Sequence, residues 1–331
     1  MQHSERFNQG LLHAYILDGQ GSAVAVNDTE LENVQLAAHE SLWIHWDRAH
    51  QHSEKWLREN SGLNEFACDL LLEENTRPRL LRLENQALLL FLRAINLNPQ
   101  AEPEDMISLR IYADQAYVYS LRQRPVQVTD ELIQAFERGH GPRNTSELLL
   151  FLAQTLTDRV EHTVSDLADT VDAEEAKTDE DERYTPEVLP LLQARRSAAN
   201  LRRFLAPQRD VFVMLMQSQE SWFMPDDAIY WNELNNRLML HLEELELTRE
   251  RIGVVLETEQ RRRNERISHT MYLLTVITGF FLPLTFVTGL LGINVGGIPG
   301  AENPYGFLIA CFLLVMLALM QWLFFRWLRW V

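Results

Sequence analysis

The sequence predicts a two-part membrane protein, in which an α+β cytoplasmic domain is followed by a long helical stalk and two C-terminal transmembrane helices. Three observations predict this fold class. Strand and helix signals are mixed over about the first 140 residues, and helical periodicity dominates the remainder. Two long uncharged apolar runs lie within the last 61 residues. The overall composition, 46% hydrophobic with a formal net charge of −17, conceals this strongly apolar end.

Charge and cysteine content exclude several classes of protein. Asp and Glu number 47 against 30 Lys and Arg, whereas a nucleic-acid-binding protein is expected to carry a basic excess. The apolar fraction is too high for a disordered chain. The two cysteines, Cys68 and Cys311, lie far apart, so the sequence predicts neither a disulfide framework nor a local thiolate zinc site.

The N-terminal part alternates apolar and polar residues around short turns, which predicts β-hairpins. A further strand is expected at 42–46, with helices near 53–60 and 129–138. The predicted hairpin strands are 13–17 with 23–26, 79–83 with 88–92, and 107–113 with 116–121. Strands and helices interspersed in this way predict an α+β or mixed-sheet domain over residues 1–143.

Residues 144–225 have helical periodicity and are expected to form a helical hairpin. The run Asn144-Thr-Ser-Glu147 matches a capping box, so the first helix should extend from about 145 to 173. An acidic stretch over 174–182 follows, and Tyr184-Thr-Pro186 should open a second helix that ends near Phe223.

Two groups of polar residues could bind metal or could be ordinary surface. The first helix ends in a crowd of acids, which indicates either a solvated acidic face or a cytoplasmic reservoir or sensor for divalent cations. These acids are Asp158, Glu161, Asp166, Asp169 and Asp172. Three nearby histidines, His45, His50 and His52, could suggest a metal site, although a solvated helix entry explains them with fewer assumptions.

A third helix is predicted over 226–291, where the cytoplasmic stalk continues into the first membrane span. No proline interrupts residues 226–282, and Pro283 lies inside the span. A helix of 66 residues would be about 99 Å long. We expected its apolar positions to need partner helices, so the sequence predicts a homo-oligomer whose stalks surround an axis. Those positions are Leu234, Leu238, Leu242, Leu245, Ile252 and Val255.

Two C-terminal segments are long and apolar enough to cross a bilayer. Residues 271–291 contain no Asp, Glu, Lys, Arg or His, and 21 residues of helix span about 30 Å. The second span is expected at 307–325, with a tight periplasmic loop at 292–306 and a cytoplasmic tail at 326–331. Trp322, Trp327 and Trp330 fit an aromatic belt at the membrane surface.

The flanking charges predict the orientation of these spans. Arginines precede the first span and follow the second, while the connecting loop carries only Glu302. Both termini of this multi-pass protein should therefore be cytoplasmic. Arg266, Arg326 and Arg329 against Glu265 and Glu302 leave +1 on residues 264–331, which places −18 on residues 1–263.

Small and polar side chains form one stripe along the third helix. On a helical wheel of about 100° per residue the stripe surrounds Met271. Such a stripe serves either close helix packing or the lining of a water-filled path. The stripe consists of Asn264, Ser268, Thr275, Thr278, Leu282 and Thr285, with Thr288 at its edge.

The segment 281–289, Phe-Leu-Pro-Leu-Thr-Phe-Val-Thr-Gly, followed by Gly292-Ile293-Asn294, resembles the CorA superfamily of divalent-cation transporters. The layout of the whole chain is similar as well. Gly-Ile-Asn, in place of the Gly-Met-Asn of the magnesium branch, resembles the zinc-transporting ZntB branch. The resemblance implies a homopentamer that transports zinc as a substrate, with no bound cofactor.

The resemblance also implies roles for individual residues. Asn294 would form a ring at the outer entrance within the Gly292–Asn294 motif, Thr285 a ring inside the pore, and Met271 and Leu274 a constriction near the cytoplasmic mouth. A ring of neutral amide oxygens can hold a divalent ion through its water shell. A ring of Glu302 carboxylates in the outer loop would concentrate cations before entry.

The preference for zinc rests on the motif, because the stripe offers neither Cys nor His. The stripe itself predicts poor discrimination among zinc, cadmium, nickel and cobalt. Proton coupling is a further implication of the resemblance, although neither span holds an ionisable carboxylate or imidazole. Two alternatives remain: a magnesium and cobalt channel of the CorA type, and a membrane-anchored cation sensor without transport. The sequence lacks HExxH, Walker, GxSxG and dinucleotide-binding motifs, which argues against an enzyme.

Overall fold

The computed structural model describes residues 10–181, 184–293 and 303–327. The chain divides into two compact units, residues 1–255 and 256–331. The first unit contains a mixed β-sheet with helices on both faces. The second unit contains a pair of apolar helices.

Seven strands form one sheet in the order β2-β1-β3-β7-β6-β5-β4. All neighbouring strands are antiparallel except β3 and β7, which are parallel. The three predicted hairpins are confirmed as β1–β2, β4–β5 and β6–β7. The strands are β1 (Leu11–Leu17), β2 (Ala23–Ala25), β3 (Ser41–Asp47), β4 (Arg79–Arg82), β5 (Leu88–Ala94), β6 (Ile107–Ala113) and β7 (Tyr117–Arg122).

The β4–β5 hairpin turns at Asn85 and Gln86, whose φ angles are 58° and 60°. Positive φ at both central residues is typical of the tight turns that match the right-handed twist of strands. Leu83 N–H donates to the Ala87 carbonyl at 2.8 Å and closes the turn. The local sequence therefore determines the register of this edge.

The described residues form seven α-helices, and two short 3₁₀ helices lie at Asp28–Asn33 and Glu84–Gln86. The α-helices are α1 (Gln51–Glu59), α2 (Glu65–Leu72), α3 (Val128–Glu137), α4 (Thr145–Glu180), α5 (Val188–Met216), α6 (Asp227–Leu291) and α7 (Gly306–Trp327). Sequence reasoning missed α2, which is only eight residues long.

The sheet has a hydrophobic core on each face, because successive residues of a strand point to opposite sides. Trp43 of β3 faces a core formed with α3, α4, α5 and the start of α6. Trp46 of the same strand faces a second core formed with α1 and α2. Both indoles are 0% exposed. The α+β prediction is thus refined to a sheet covered by helices on both faces.

The helical hairpin differs from its predicted bounds at three places. Helix α4 continues seven residues beyond the expected end at 173, through most of the acidic stretch. Glu174 stabilises this extension, since its carboxylate accepts from Lys177 Nζ at 2.7 Å, Tyr184 OH at 2.9 Å and Glu187 N at 3.0 Å. Helix α5 begins later, at Val188, and ends at Met216 rather than near 223.

The apolar positions that we expected to need partner helices pack mainly within the chain itself. Leu238, Leu245 and Ile252 are 0% exposed, so this part of the argument for an oligomer was wrong. A different set of positions is left on the surface of α6, seven residues apart. Leu240, Leu247 and Val254 are 63%, 49% and 64% exposed.

Candidate cation path and membrane segments

Two helices of the described chain are long and apolar enough to cross a membrane, α6 through its C-terminal part and α7. They lie where the sequence predicts the spans. Pro283 is accommodated inside α6 without ending it. Because a bilayer offers no hydrogen-bond partners to the backbone, a continuous helix is the form expected of such a segment.

In the second unit, α6 and α7 each place one face in the contact between them. The half-buried residues of α6 recur every three or four positions. Small or apolar side chains of α7 lie opposite them. The half-buried positions of α6 are Val276, Gly279, Phe280, Pro283, Leu284 and Val287, and those of α7 include Ala310, Cys311, Leu314, Leu317, Ala318 and Gln321.

The two helices are in close contact at Gly279 and Phe325. A Cβ atom added to Gly279 would lie 3.0 Å from Phe325 Cζ. Phe325 is only 8% exposed, in contrast with the other aromatic residues of α7. A glycine at this point allows the aromatic ring to lie against the backbone of the first span, as small residues commonly do between membrane helices.

The predicted stripe lies on another side of α6. All seven of its residues, from Asn264 to Thr288, are exposed, as are Met271 and Leu274. On the helical wheel the centre of the stripe is about 140° away from the centre of the face that contacts α7. Only its C-terminal end approaches the second helix, where Thr285 and Thr288 line a shallow groove with Leu314 and Ala318. Packing against α7 therefore does not account for most of the stripe.

The hydroxyl hydrogens of two stripe threonines are directed to the helix itself. Thr275 donates to the Met271 carbonyl at 2.8 Å and Thr288 to the Thr285 carbonyl at 3.0 Å. Each oxygen is then left as an acceptor. The water molecules around a dication point their hydrogens outward, so acceptor oxygens are the groups that suit a hydrated cation.

The outer motif is described only in part. Gly292 follows the end of α6, and its N–H donates to the Thr288 carbonyl at 2.9 Å and the Gly289 carbonyl at 3.2 Å. Ile293 is 48% exposed. Asn294 and Glu302, the predicted ligands at the entrance, lie outside the described residues, so their roles stay predictions.

Three of the five acids predicted as a group along α4 are paired with arginines of α6. Arg237 donates to Asp158 at 2.7 Å and to Glu161 at 3.2 Å. Arg251 binds Asp172 and Glu175 in the same manner. Among the described residues there is no group of three His, Cys, Asp or Glu that could hold a metal ion. The acidic crowd is thus largely a partner for the long helix, which favours the surface interpretation.

The three N-terminal histidines do not converge on a metal site. His45 is 0% exposed, and its Nδ1 lies 2.7 Å from Ser120 Oγ within the sheet. Burial holds the pKa of His45 well below its ordinary value. His50 caps α1, since its Nδ1 accepts from His52 N–H at 3.2 Å. The helix-entry interpretation is therefore the correct one for His50 and His52.

Sequence reasoning missed a cavity of about 1010 Å³ in the first unit. It lies at the N-termini of α4 and α6, between the segment before α4 and the α5–α6 loop. Its walls include Arg143, Phe151, Trp222, Tyr230 and Glu233. These residues come from two parts of the sequence about 70 residues apart, and no local pattern signals that they meet.

A sheet domain followed by two C-terminal helical segments that are long and apolar enough to cross a membrane is the layout of a membrane protein. The chain belongs to the CorA-like Mg²⁺ transporter family, whose model matches residues 39–329. The resemblance to this superfamily that the Gly-Ile-Asn motif indicates is thereby confirmed.

Individual relatives agree with this membership. The chain is 54% identical over 323 residues to the divalent cation transporter CmaX of Pseudomonas aeruginosa, covering 98% of this chain and 97% of that protein. It is 32% identical over 318 residues to the zinc transport protein ZntB of Pectobacterium carotovorum, covering 96% and 93%.

Solved structures share the fold along almost the whole chain. The structure of full-length CmaX has a TM-score of 0.89 at 55% identity and covers 97% of this chain and 98% of its own. The CorA magnesium transporter from Methanocaldococcus jannaschii has a TM-score of 0.76 at 18% identity, covering 96% and 99%. At that identity the second comparison shows the fold alone.

Proposed function

We propose that this protein is a symmetric oligomer, a pentamer, that carries zinc and other divalent cations across the inner membrane through a pore lined by the stripe of α6. The observation that supports it most is the exposed stripe from Asn264 to Thr288, most of which α7 leaves uncovered. Acceptor oxygens along it suit ions that keep much of their water shell. The similarity to ZntB supports zinc, and the similarity to CmaX supports a broader range of divalent cations.

The oligomer is supported by the second apolar series of α6. Leu240, Leu247 and Val254 repeat every seven residues and are exposed. Ser268, Thr275 and Leu282 continue the same seven-residue frame in sequence. A heptad repeat of this kind is typical of helices that wind around a common axis. Parallel α6 helices around a common axis would bury the exposed apolar series.

Charge supports inward movement of cations. Residues 1–263 carry −18, in a part of the chain that we place on the cytoplasmic side. An acidic region below a cation path lowers the energy of arriving dications. The membrane potential favours entry of a dication by about 4.6 kcal/mol per 100 mV. We expect the Gly292–Asn294 motif and Glu302 to form the outer entrance and Met271 and Leu274 the cytoplasmic constriction.

Zinc uptake by the purified full-length protein in proteoliposomes that contain a zinc-sensitive dye tests the proposal. We expect uptake that depends on the protein and that cadmium, nickel and cobalt reduce by competition. A strong preference for magnesium would favour the CorA-type channel. Absence of any cation flux would favour the sensor. Repeating the measurement with an imposed pH gradient decides whether proton movement contributes.

The contribution of the stripe is tested by removing one hydroxyl without changing volume. We expect Thr278→Val to lower zinc uptake several-fold, because the pore loses one ring of acceptor oxygens. Tyr272→Phe is the control. It also removes one hydroxyl from α6, but Tyr272 lies about 120° from Thr278 around the helix. Equal loss in both variants would contradict the assignment of the stripe.

A further inference from the structure

The second span carries one strongly polar side chain, and it lies on the contact face. Gln321 is half-buried. Its Oε1 atom is fully buried and has no hydrogen-bond partner among the described residues. An amide buried in a bilayer without a partner is costly, so a glutamine at this position requires a physical reason.

Pro283 supplies such a reason on the first span. Proline has no N–H, so the carbonyl of the residue four positions earlier, Gly279, lacks the hydrogen bond that an α-helix normally gives it. Membrane helices tolerate proline when a neighbouring helix or side chain provides a replacement donor. Both Gly279 and Pro283 lie on the face of α6 that contacts α7.

The register of the two helices brings these groups to one level. Phe325 lies against Gly279. Gln321 precedes Phe325 by four residues, and Pro283 follows Gly279 by four residues. In an antiparallel pair, one turn along each helix from the Gly279–Phe325 contact leads to Gln321 and Pro283. The Gly279 carbonyl points along α6 in the direction of Pro283, toward the level of Gln321.

We propose that the side-chain amide of Gln321 donates a hydrogen bond to the Gly279 carbonyl that Pro283 leaves without a partner, and so positions the first span for transport. A half-turn of the amide exchanges Oε1 with Nε2 and brings a donor to the buried site. Gln321 is a positioning residue in this account, because it acts through α6 and the stripe on another side of that helix. The role in transport rests on the proposed function, whereas the hydrogen bond does not.

A double-mutant cycle tests the pairing, because Pro283→Ala restores the missing N–H and makes the donor of Gln321 unnecessary. The full-length protein is measured in two ways: zinc uptake in proteoliposomes and the melting temperature, Tm, in detergent. We expect Gln321→Met, which matches the side chain in size without its donor, to lower uptake about three- to tenfold and to lower Tm. In the Pro283→Ala background the same substitution should change neither quantity.

Two further variants separate hydrogen bonding from packing. Gln321→Asn is smaller but keeps a donor, so it should retain more uptake than Gln321→Met. Leu317→Met, on the same face of α7, should have the same effect with and without Pro283→Ala. If Gln321→Met lowers uptake and Tm equally with and without Pro283→Ala, the proposed hydrogen bond between Gln321 and the Gly279 carbonyl is wrong. If the Tm coupling is present while wild-type protein moves no cation, the pairing holds and the proposed function fails.

Discussion

The Arg237 guanidinium lies 2.7 Å from the Asp158 carboxylate and joins α6 to α4. Fourteen residues further along both helices, Arg251 meets Asp172 in the same way. The second acid of each set, Glu161 and Glu175, lies three residues after the first. Fourteen residues are two heptads, so α4 and α6 run parallel and keep one register over about 21 Å.

Removing either arginine should lower Tm modestly. Each side chain is about one quarter exposed, and exposed ion pairs contribute about 0.5 to 1 kcal/mol. We expect Arg237→Gln and Arg251→Gln each to lower Tm by roughly 1 to 4 °C in detergent at low salt. Their effects should add, since the two sites are well separated.

Salt and a surface control check the electrostatic origin of that loss. The decrease in Tm should become smaller in 1 M salt, which screens exposed charges. Arg196→Gln, at an exposed position of α5, should leave Tm close to that of the wild type. A decrease that is independent of salt would indicate lost packing rather than lost ion pairs.

Glu174 should make Tm depend on pH in the acidic range. Burial alone would raise the pKa of Glu174, but hydrogen bonds from Lys177, Glu187 N–H and Tyr184 outweigh it and lower the pKa. A carboxylate whose pKa is lower in the folded state stabilises fully above its unfolded pKa of about 4.3. That stabilisation is lost as the pH falls through the lower folded value.

The variant Glu174→Gln removes the titrating group. We expect its Tm to lie below that of the wild type at neutral pH and the difference to shrink as the pH falls below about 4. Thermal melts in detergent, at a series of pH values from neutral down to the lowest pH at which the protein still folds, measure this difference in Tm. A gap that stays constant or widens toward low pH would show that the charge of Glu174 does not stabilise the end of α4.

The exposed apolar series of α6 should hold the oligomer together. A carboxylate placed in a desolvated helix contact is destabilising, so Leu247→Glu should shift the protein toward smaller assemblies. Light scattering during size-exclusion chromatography measures the mass. Leu192→Glu is the matched control, because Leu192 is a similarly exposed leucine on α5 at 47%. An unchanged mass for Leu247→Glu would place the contact elsewhere.

Local features of the fold could be predicted from the sequence, and long-range ones could not. Alternating residues and tight turns predict each hairpin, because the partners are neighbours in the chain. The parallel pairing of β3 with β7 joins Trp43 to Val118. Nothing in either strand specifies the other, and this pairing determines the order of the whole sheet.

The candidate cation path also has features that the sequence predicts and features that it does not. The stripe of α6 follows from helical periodicity alone. The partners of Asp158 and Asp172 do not, because they lie on another helix more than 70 residues away. Similarly, Gln321 is simply the one strongly polar residue of an apolar run until the Gly279–Phe325 contact gives the register of the two spans.

The central claim is that the stripe of α6 lines the cation path, and cysteine accessibility tests it most directly. In a background with Cys68 and Cys311 replaced by Ala, single cysteines are placed at Thr278 and, as a control about 140° away around α6, at the exposed Leu273. After treatment with a membrane-impermeant thiol reagent, zinc uptake is measured in proteoliposomes. The account predicts that modification abolishes uptake through Thr278→Cys, that this modification is slower when zinc is present, and that Leu273→Cys stays active. Full uptake through a demonstrably modified Thr278→Cys would contradict it.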